Sequence, residues 1–160
     1  MKIRKAKKSD ADQILKIFYE VIAPGDTYVF TPDISKEEAQ DYWMNDKIHC
    51  YVVEENDTIL GCYVIRNNRP GLGSHVANAS FIVSQTARGK GVGKLIGNDA
   101  LKEAKNLGYQ AMQFNFVVST NEIAVKLWQS LGFKIIGTSP KTFNHKTLGL
   151  VDTYIMHRFL

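Results

Sequence analysis

The segment Phe81–Gly97 (FIVSQTARGKGVGKLIG) constrains the fold more than any other stretch of the chain. An apolar run ends at Val83, a short polar link follows, and a helical pattern of apolar residues begins after three alternating glycines. These glycines are Gly89, Gly91 and Gly93. The segment therefore predicts a strand, a tight loop and a helix. A glycine loop that opens a helix leaves backbone N–H groups unpaired near the positive end of the helix dipole, which favours phosphate binding.

Two common phosphate-binding loops do not fit these residues. A Walker A loop, G-x-x-x-x-G-K-[ST], would place Arg88 at its first glycine and Leu95 at its hydroxyl position. A Rossmann G-x-G-x-x-G loop would end on Lys94 or Ile96, depending on which glycine starts it. The pattern that does fit is R-x-x-G-x-G, formed by Arg88, Gly91 and Gly93.

A second motif, Asn121–Phe133 (NEIAVKLWQSLGF), follows a predicted strand at 111–118. Thr120 or Asn121 is a suitable N-cap for a helix at Glu122–Leu131, and Gly132 is a suitable stop. The motif reads N-x-x-A-x-x-L-W-x-x-x-G-F, with its Asn, Ala and Leu on one helical face.

Together the two motifs resemble the GNAT superfamily of acyl-CoA-dependent N-acyltransferases, and the resemblance covers nearly the whole chain. It implies one α/β domain over residues 1–160. In this GNAT fold about seven strands form a mixed central sheet that is splayed in the middle, and about four helices cover both faces. It also implies an acyltransferase that moves an acetyl group directly from acetyl-CoA, its co-substrate, to an amine in a ternary complex.

The resemblance further implies a donor site. The glycine loop would hold the pyrophosphate, the strand before it would pair with the pantetheine arm, and one strand N–H would polarise the thioester carbonyl. The helix of the second motif would flank the arm. The implied donor-site residues are Phe81, Ile82, Val83, Arg88, Gly89, Lys90, Gly91, Val92, Gly93, Lys94, Asn121 and Trp128.

Trp128 departs from the family pattern, which often has a tyrosine there to protonate the leaving CoA thiolate. An indole N–H can donate a hydrogen bond, but it is not a useful acid near neutral pH. Protonation by water and direct release of the thiolate both stay open.

Polar and aromatic residues in unusual places mark a possible acceptor site. Asn78 and Asn115 interrupt apolar strands, and Tyr28 and Phe30 lie in an irregular segment between two predicted helices. A buried amide needs hydrogen-bond partners, so Asn78 either satisfies a neighbouring bulge or loop, or faces the acceptor. Tyr28 and Phe30 are either core residues or a wall of the acceptor site.

A narrower resemblance, to fungal acetyltransferases that act on proline analogues such as azetidine-2-carboxylate, implies a small amino-acid acceptor. In it Asn78 and Asn115 would be catalytic residues that hold and orient the substrate. An amide cannot accept a proton, so the general base is not assigned, and His75 is predicted to be structural. The residues that carry this resemblance are Gly25–Tyr28, Tyr42–Met44, Pro70, Gly71, Ser74–Ala79, Phe114, Asn115 and Asn121.

Other acceptors and another class of protein stay open. A protein N-terminus, a lysine, an aminoglycoside or a polyamine would keep the same chemistry. An aminoglycoside or polyamine site should gather acidic residues, whereas segments 26–32 and 75–80 contain only Asp26, which favours a small or zwitterionic acceptor. The alternative class is a non-catalytic acyl-CoA-binding regulatory module, which the missing tyrosine supports.

Composition excludes several partners. The net charge of +4 over 160 residues is mild and scattered, without the basic, aromatic-rich stripe of a nucleic-acid-binding protein. No stretch reaches the roughly 18 apolar residues of a membrane span, and residues 1–12 lack the apolar core of a signal peptide. Cys50 and Cys62 are predicted to be buried free thiols, and no metal site is expected. We therefore expect a cytoplasmic protein; the resemblance adds a possible homodimer.

The remaining elements follow from hydrophobic periodicity and capping signals. They are a strand at 2–7, a helix from the N-cap Ser9 to about Ile22, a helix from Ser35 to Met44, strands at 49–55, 58–66 and 75–83, a helix ending near Leu107, a strand at 133–137, a polar connection at 139–150 and a strand at 151–159.

Overall fold

A computed structural model describes all residues from 1 to 160. Seven strands form a single sheet in the order β1-β2-β3-β4-β5-β7-β6, and four α-helices pack against it, which confirms the predicted mixed α/β architecture. The elements are β1 Lys2–Lys5, α1 Ala11–Ile22, α2 Lys36–Met44, β2 His49–Glu55, β3 Thr58–Asn67, β4 Val76–Val83, α3 Val92–Asn106, β5 Ala111–Val118, α4 Glu122–Ser130, β6 Lys134–His145 and β7 Gly149–Phe159.

The sheet separates two hydrophobic cores. Helices α1 and α2 bury residues such as Phe18 and Trp43 against one face. Helices α3 and α4 bury residues such as Ile96 and Trp128 against the other. Strand β4 contributes alternately to both, because its side chains point to opposite faces: Ala77 packs with the α3–α4 core and Ile82 with the α1–α2 core.

The start of α1 differs from the prediction that Ser9 is its N-cap. A short 3₁₀ turn at Lys8–Asp10 precedes the helix, and the Asp10 carboxylate accepts the backbone N–H of Lys7 at 2.7 Å. The same carboxylate pairs with Arg4 of β1 at 2.7 Å. Asp10 therefore holds the N-cap position of α1, but its side chain does not cap that helix and instead bonds to Lys7 and Arg4. The predicted capping box of α2, Ser35 with Glu38, is confirmed.

The centre of the sheet is open. Parallel strands β4 and β5 pair only at Val76 with Ala111 and at Ala77 with Met112, and they separate from there on. On its other edge β5 pairs with β7 through a bulge, where the register shifts between Phe114 and Val117. We call the opening between the two separated strands the central gap. Its presence confirms the predicted splay.

The polar connection predicted at 139–150 is wrong. Strand β6 continues to His145 and β7 begins at Gly149, so the two strands form a long ribbon at the edge of the sheet. Phe143 is the only buried residue of β6, so the alternation of apolar and polar residues that marks a half-buried strand is missing there.

Cys50 and Cys62 are buried free thiols, as predicted, with their Sγ atoms 3.4 Å apart. None of the helices combines the length and the apolar character that crossing a membrane requires.

Candidate active site

The glycine loop (Arg88–Lys94) connects β4 to α3 through backbone conformations that favour glycine. Gly89 has φ +75° and Gly91 has φ +78°, both in the left-handed region. A Cβ built on either residue would meet no protein atom within 4 Å, so the space beside them is open. Gly93 differs, because it lies inside α3 and its Cβ would come 3.3 Å from Leu127 of α4. Gly93 therefore lets α3 and α4 approach closely.

The first turn of α3 presents free donors to that open space. Gly91 is the N-cap residue and no side chain caps the helix. The N–H groups of Val92, Gly93 and Lys94 have no acceptor in the protein. The side chains of Arg88, Lys90 and Lys94 are exposed and form no ion pair. Unpaired amides and cations of this kind are typical of anion sites. Their binding of a pyrophosphate stays a prediction.

Hydrogen bonding between β3 and β4 determines which residues of β4 point their N–H and C=O groups into the central gap. Ser84 N–H bonds to Leu60 and Asn68 N–H to Val76, so even-numbered residues of β4 point their N–H and C=O groups towards β3. Odd-numbered residues, including Phe81 and Val83, point theirs into the gap. Ile82 was predicted to offer main-chain contacts to the donor, but its N–H and C=O belong to the β3 ladder and its side chain is buried.

The Tyr28 hydroxyl occupies the gap-facing groups of Phe81. It accepts a hydrogen bond from the Phe81 N–H at 3.1 Å and donates one to the Phe81 carbonyl at 2.8 Å. Burial raises the pKa of Tyr28 well above its usual value, so the hydroxyl keeps its proton. The neighbouring Thr27 accepts a hydrogen bond from the Asn121 side chain at 3.1 Å, which ties the same segment to α4.

A cavity of about 430 Å³, the central cavity, runs through the gap. All the predicted acceptor residues line this cavity, together with three of the predicted donor residues, Phe81, Asn121 and Trp128. The other predicted donor residues, including the glycine loop, lie outside it. Tyr28 and Tyr42 are the only ionisable side chains in its lining. The predicted residues that line it are Tyr28, Phe30, Asn78, Phe81, Asn115, Asn121 and Trp128.

The two asparagines occupy different environments at the same end of the cavity. Asn78 sits where β4 and β5 part, and its Nδ2 donates to the Gln113 carbonyl at 2.9 Å in place of a ladder bond. Asn115 lies in the β5 bulge and is exposed; its Nδ2 donates to Asn68 at 2.7 Å and its Oδ1 accepts from Gln113 at 3.0 Å. The Asn78 side chain thus provides a hydrogen-bond partner for the Gln113 carbonyl where the strands separate, and it also lines the cavity.

Helix α4 closes the other side of the cavity. Trp128 is buried, with its ring centroid 4.7 Å from that of Phe81 and 4.9 Å from that of Phe114. Asn121 caps the helix, since its Oδ1 accepts the Ala124 N–H at 3.2 Å, which confirms the second of the two predicted caps. The Asn121 side chain is therefore already used for the cap and for Thr27, and its contact with a donor stays a prediction.

Residues 15–133 match the acetyltransferase (GNAT) family. The chain belongs to this family. A curated relative, the N-acetyltransferase aca1 of Schizosaccharomyces pombe, is 32% identical over 158 residues, covering 87% of this chain and 74% of the relative. The putative phosphinothricin acetyltransferase YwnH of Bacillus subtilis is 26% identical, covering 93% of this chain and 98% of the relative.

Solved structures agree with this membership. A GCN5-related N-acetyltransferase from Kribbella flavida is 44% identical and superposes with a TM-score of 0.95, covering 99% of this chain and 97% of that one. A phosphinothricin acetyltransferase from Sinorhizobium meliloti, solved with acetyl-CoA, is 25% identical with a TM-score of 0.85, covering 99% and 88% of the two chains.

The GNAT protein is an acetyltransferase that uses acetyl-CoA, and its residues fit that co-substrate. Unpaired amides and free cations of the glycine loop suit a pyrophosphate, and the gap-facing edge of β4 suits an extended arm. The structure brings together no group of three or more histidine, cysteine or carboxylate side chains that could hold a metal ion.

The sequence analysis assigned no individual role to three residues beside the acceptor end of the cavity. The Tyr42 hydroxyl bonds to the Ser80 hydroxyl at 2.7 Å, and both line the cavity. Arg66, the register partner of Asn78, lies 4.3 Å from the centre of the Tyr42 ring. It has no carboxylate partner, and its buried Nε has no hydrogen-bond acceptor. For Arg66, the only signal in the sequence was its position at the end of the apolar run of β3.

Proposed function

We propose that this acetyltransferase transfers the acetyl group of acetyl-CoA directly to the amine of a small acceptor, an amino acid or a proline analogue. The observation that carries the proposal is the central cavity, which reaches from the gap-facing edge of β4 to the two asparagines. Donor and acceptor can therefore meet inside one enclosure without a covalent enzyme intermediate.

The donor would enter from the glycine loop. Its pyrophosphate binds the free amides of the first turn of α3, and its arm runs along β4 past Val83 towards Phe81, which lies two residues deeper in the gap. The Phe81 N–H would then point at the thioester carbonyl and stabilise the oxyanion that forms during attack. Alignment of amine and carbonyl supplies much of the rate, about 7–11 kcal/mol in good cases.

The acceptor would bind at the far end of the cavity. The amides of Asn78 and Asn115 can donate to and accept from an amino acid, while Tyr28 and Phe30 provide an aromatic wall. Because neither asparagine can take a proton, the amine must attack as its neutral form, and the two amides act by orientation.

Arg66 supports an acceptor that carries a carboxylate. Arg66 is partly buried and pairs in register with Asn78, its guanidinium lies over the Tyr42 ring, and no acid in the protein neutralises it. Burial of an unpaired positive charge is costly, and a substrate carboxylate would offset that cost. A small zwitterion would place its carboxylate near Arg66 and its amine near the thioester.

The names of two relatives support a small acceptor, because both are described as phosphinothricin acetyltransferases. The curated protein from B. subtilis is a putative phosphinothricin acetyltransferase, and the S. meliloti structure is of a phosphinothricin acetyltransferase. The resemblance to fungal proline-analogue acetyltransferases rests on the residues of this chain, together with the 32% identity to the S. pombe N-acetyltransferase.

A second acceptor class has one observation in its favour. Next to the central cavity lies a groove of about 770 Å³, which shares Val29, Phe30 and Tyr42 with it and carries four carboxylates. We call it the acidic groove; its carboxylates are Asp33, Glu37, Glu38 and Asp41. A polyamine or a basic peptide could extend from the cavity into this groove.

A screen of thiol release from acetyl-CoA tests the proposal. Proline analogues, phosphinothricin and free amino acids are compared with polyamines and with peptides carrying a free N-terminus or lysine. Turnover restricted to the amino acids and their analogues would support the proposed acceptor. Faster turnover of polyamines or peptides would instead assign one of those classes as the acceptor. Binding of acetyl-CoA without turnover on any acceptor would favour a regulatory module. A cytoplasmic location and a homodimer stay predictions.

A further inference from the structure

Proton transfer in the central cavity has few candidates. Tyr28 and Tyr42 are the only ionisable side chains in its lining. The Tyr42 hydroxyl is bound to Ser80, whereas the Tyr28 hydroxyl lies on the gap-facing edge of β4, where the thioester is proposed to bind. On the opposite wall, Trp128 offers no acid.

The Tyr28 hydroxyl marks the position of the thioester carbonyl. It is 3.1 Å from the Phe81 nitrogen and accepts its N–H, which is the contact that a thioester oxygen would make there. The Tyr28 oxygen and the thioester oxygen cannot both accept the Phe81 N–H from the same position. Bound acetyl-CoA would therefore displace the Tyr28 hydroxyl by a short distance. The aromatic rings of Phe18, Phe30 and Trp43 pack around Tyr28, which keeps the displaced hydroxyl beside the thioester.

We propose that Tyr28 is a catalytic residue that relays the proton from the attacking amine to the leaving thiolate. The inference rests on the proposed function. The neutral amine nitrogen bonds to the carbonyl carbon, and the nitrogen becomes positively charged. The C–S bond then breaks as the Tyr28 O–H gives its proton to sulfur and its oxygen takes the N–H proton. The products are the amide and CoA thiol, and Tyr28 ends protonated.

The surroundings of Tyr28 suit a relay better than a free acid. Burial among apolar rings raises its pKa, so the hydroxyl is protonated before reaction and no free tyrosinate accumulates. A relay needs only simultaneous contact with nitrogen and sulfur. The hydroxyl meets that need because it lies between the donor edge of β4 and the acceptor wall.

The first test compares Tyr28→Phe with wild type and with the control Tyr19→Phe. The Tyr19 hydroxyl also bonds to a backbone carbonyl, that of Ile34 at 2.9 Å, but lies outside the cavity. We expect Tyr28→Phe to lower kcat with acetyl-CoA about 100-fold while the Kd for acetyl-CoA stays equal or falls, since the Phe81 N–H becomes free. Tyr19→Phe should keep kcat. Unchanged kcat in Tyr28→Phe overturns the inference.

The second test varies the leaving group. Acetyl-pantetheine releases an alkyl thiolate that needs a proton, whereas an acetyl thioester of nitrothiophenol releases a stable thiolate that does not. Loss of the relay should slow the first about 100-fold and the second less than about 3-fold. Equal losses would mean that Tyr28 only supports the site, and would refute the relay.

A third variant covers the case in which Tyr28→Phe fails to fold. Incorporation of 3-fluorotyrosine at position 28 keeps the ring contacts and lowers the pKa of the hydroxyl. A change in kcat with acetyl-pantetheine, but not with the aryl thioester, supports the relay, and no change with either overturns it. Failure of the proposed function is distinguishable, because wild type would then show no turnover of any acceptor.

Discussion

The two sides of the central gap are built in different ways. The proposed donor side consists of main-chain groups: the left-handed glycines, the first turn of α3 and the free edge of β4. The proposed acceptor side consists of side chains from separate elements, with Tyr28 between α1 and α2, Arg66 on β3 and Asn115 on β5. The donor is the same in every turnover, so one backbone shape suffices for it, whereas acceptor choice depends on exchangeable side chains.

Both sides meet at a single residue, Phe81. Its N–H is the donor-side group proposed to polarise the thioester, and in this structure the acceptor-side Tyr28 holds it. This contact joins residues 53 positions apart in the chain. Variants on the two sides should therefore have different effects: one set should weaken acetyl-CoA binding, and the other should slow turnover of the acceptor.

The largest effect should come from Gly91→Val on the donor side. The residue has φ +78° and open space where its Cβ would be, so the substitution strains the loop and fills the anion site. We expect acetyl-CoA binding to weaken more than about 100-fold, or at least about 2.7 kcal/mol, in calorimetry. Gly149→Val is the control, since Gly149 also has φ +73° and open space but is the first residue of β7, away from the glycine loop. Equal affinity losses in both variants would contradict the assigned anion site.

On the acceptor side, Asn115→Ala should separate turnover from donor binding. We expect kcat/KM for the acceptor to fall about 30-fold, near 2 kcal/mol, while the Kd for acetyl-CoA changes little. Asn106→Ala is the matched control, because its exposed amide bonds only to Glu103 of the same helix. If the Asn115 variant matched wild type in kcat/KM on the true acceptor, its assignment to the acceptor would be wrong.

A smaller effect is expected from Arg66→Gln. If the guanidinium holds the substrate carboxylate, KM for an amino acid should rise about 10-fold, or about 1.4 kcal/mol, with kcat less affected. The methyl ester of the same amino acid should show no such rise. Arg69→Gln, which changes an exposed arginine of the adjoining loop, is the control. An equal rise for acid and ester would place the arginine in a structural role.

The difference between the donor side and the acceptor side also explains which features could be predicted from the sequence. Gly91 was informative because a left-handed N-cap depends on the residue itself and its immediate neighbours. Asn78 and Asn115 stood out as polar residues within apolar strands, and both border the cavity. The open glycine loop and the polar residues that line the cavity were therefore predictable from local patterns.

Contacts between distant elements were not predictable in this way. Tyr28 on Phe81 and Arg66 beside Tyr42 depend on how α1, α2 and β3 pack, and no local pattern encodes their distances. The alternation that fixes Ile82 in the β3 ladder depends on register, which a strand sequence alone does not specify. The outer part of the β6–β7 ribbon, predicted as a polar connection at 139–150, was missed because exposed strands lack an apolar period.

The smallest effect should come from Asp10→Asn, which lies outside both sides of the gap. Arg4 lowers the pKa of Asp10, so the ion pair stabilises the folded protein above the usual carboxylate range and is lost as pH falls through the lowered pKa. Asparagine can still accept the Lys7 N–H, so we expect a loss of only about 1 kcal/mol in the free energy of unfolding at neutral pH. In urea titrations the difference from wild type should hold near neutral pH and shrink as the pH falls below the usual carboxylate range and through the lowered pKa of Asp10. Acetyl-CoA affinity and acceptor kcat/KM should both match wild type. A change in either would mean that destabilisation alone disturbs the gap, and the effects at Gly91 and Asn115 would then no longer separate its two sides.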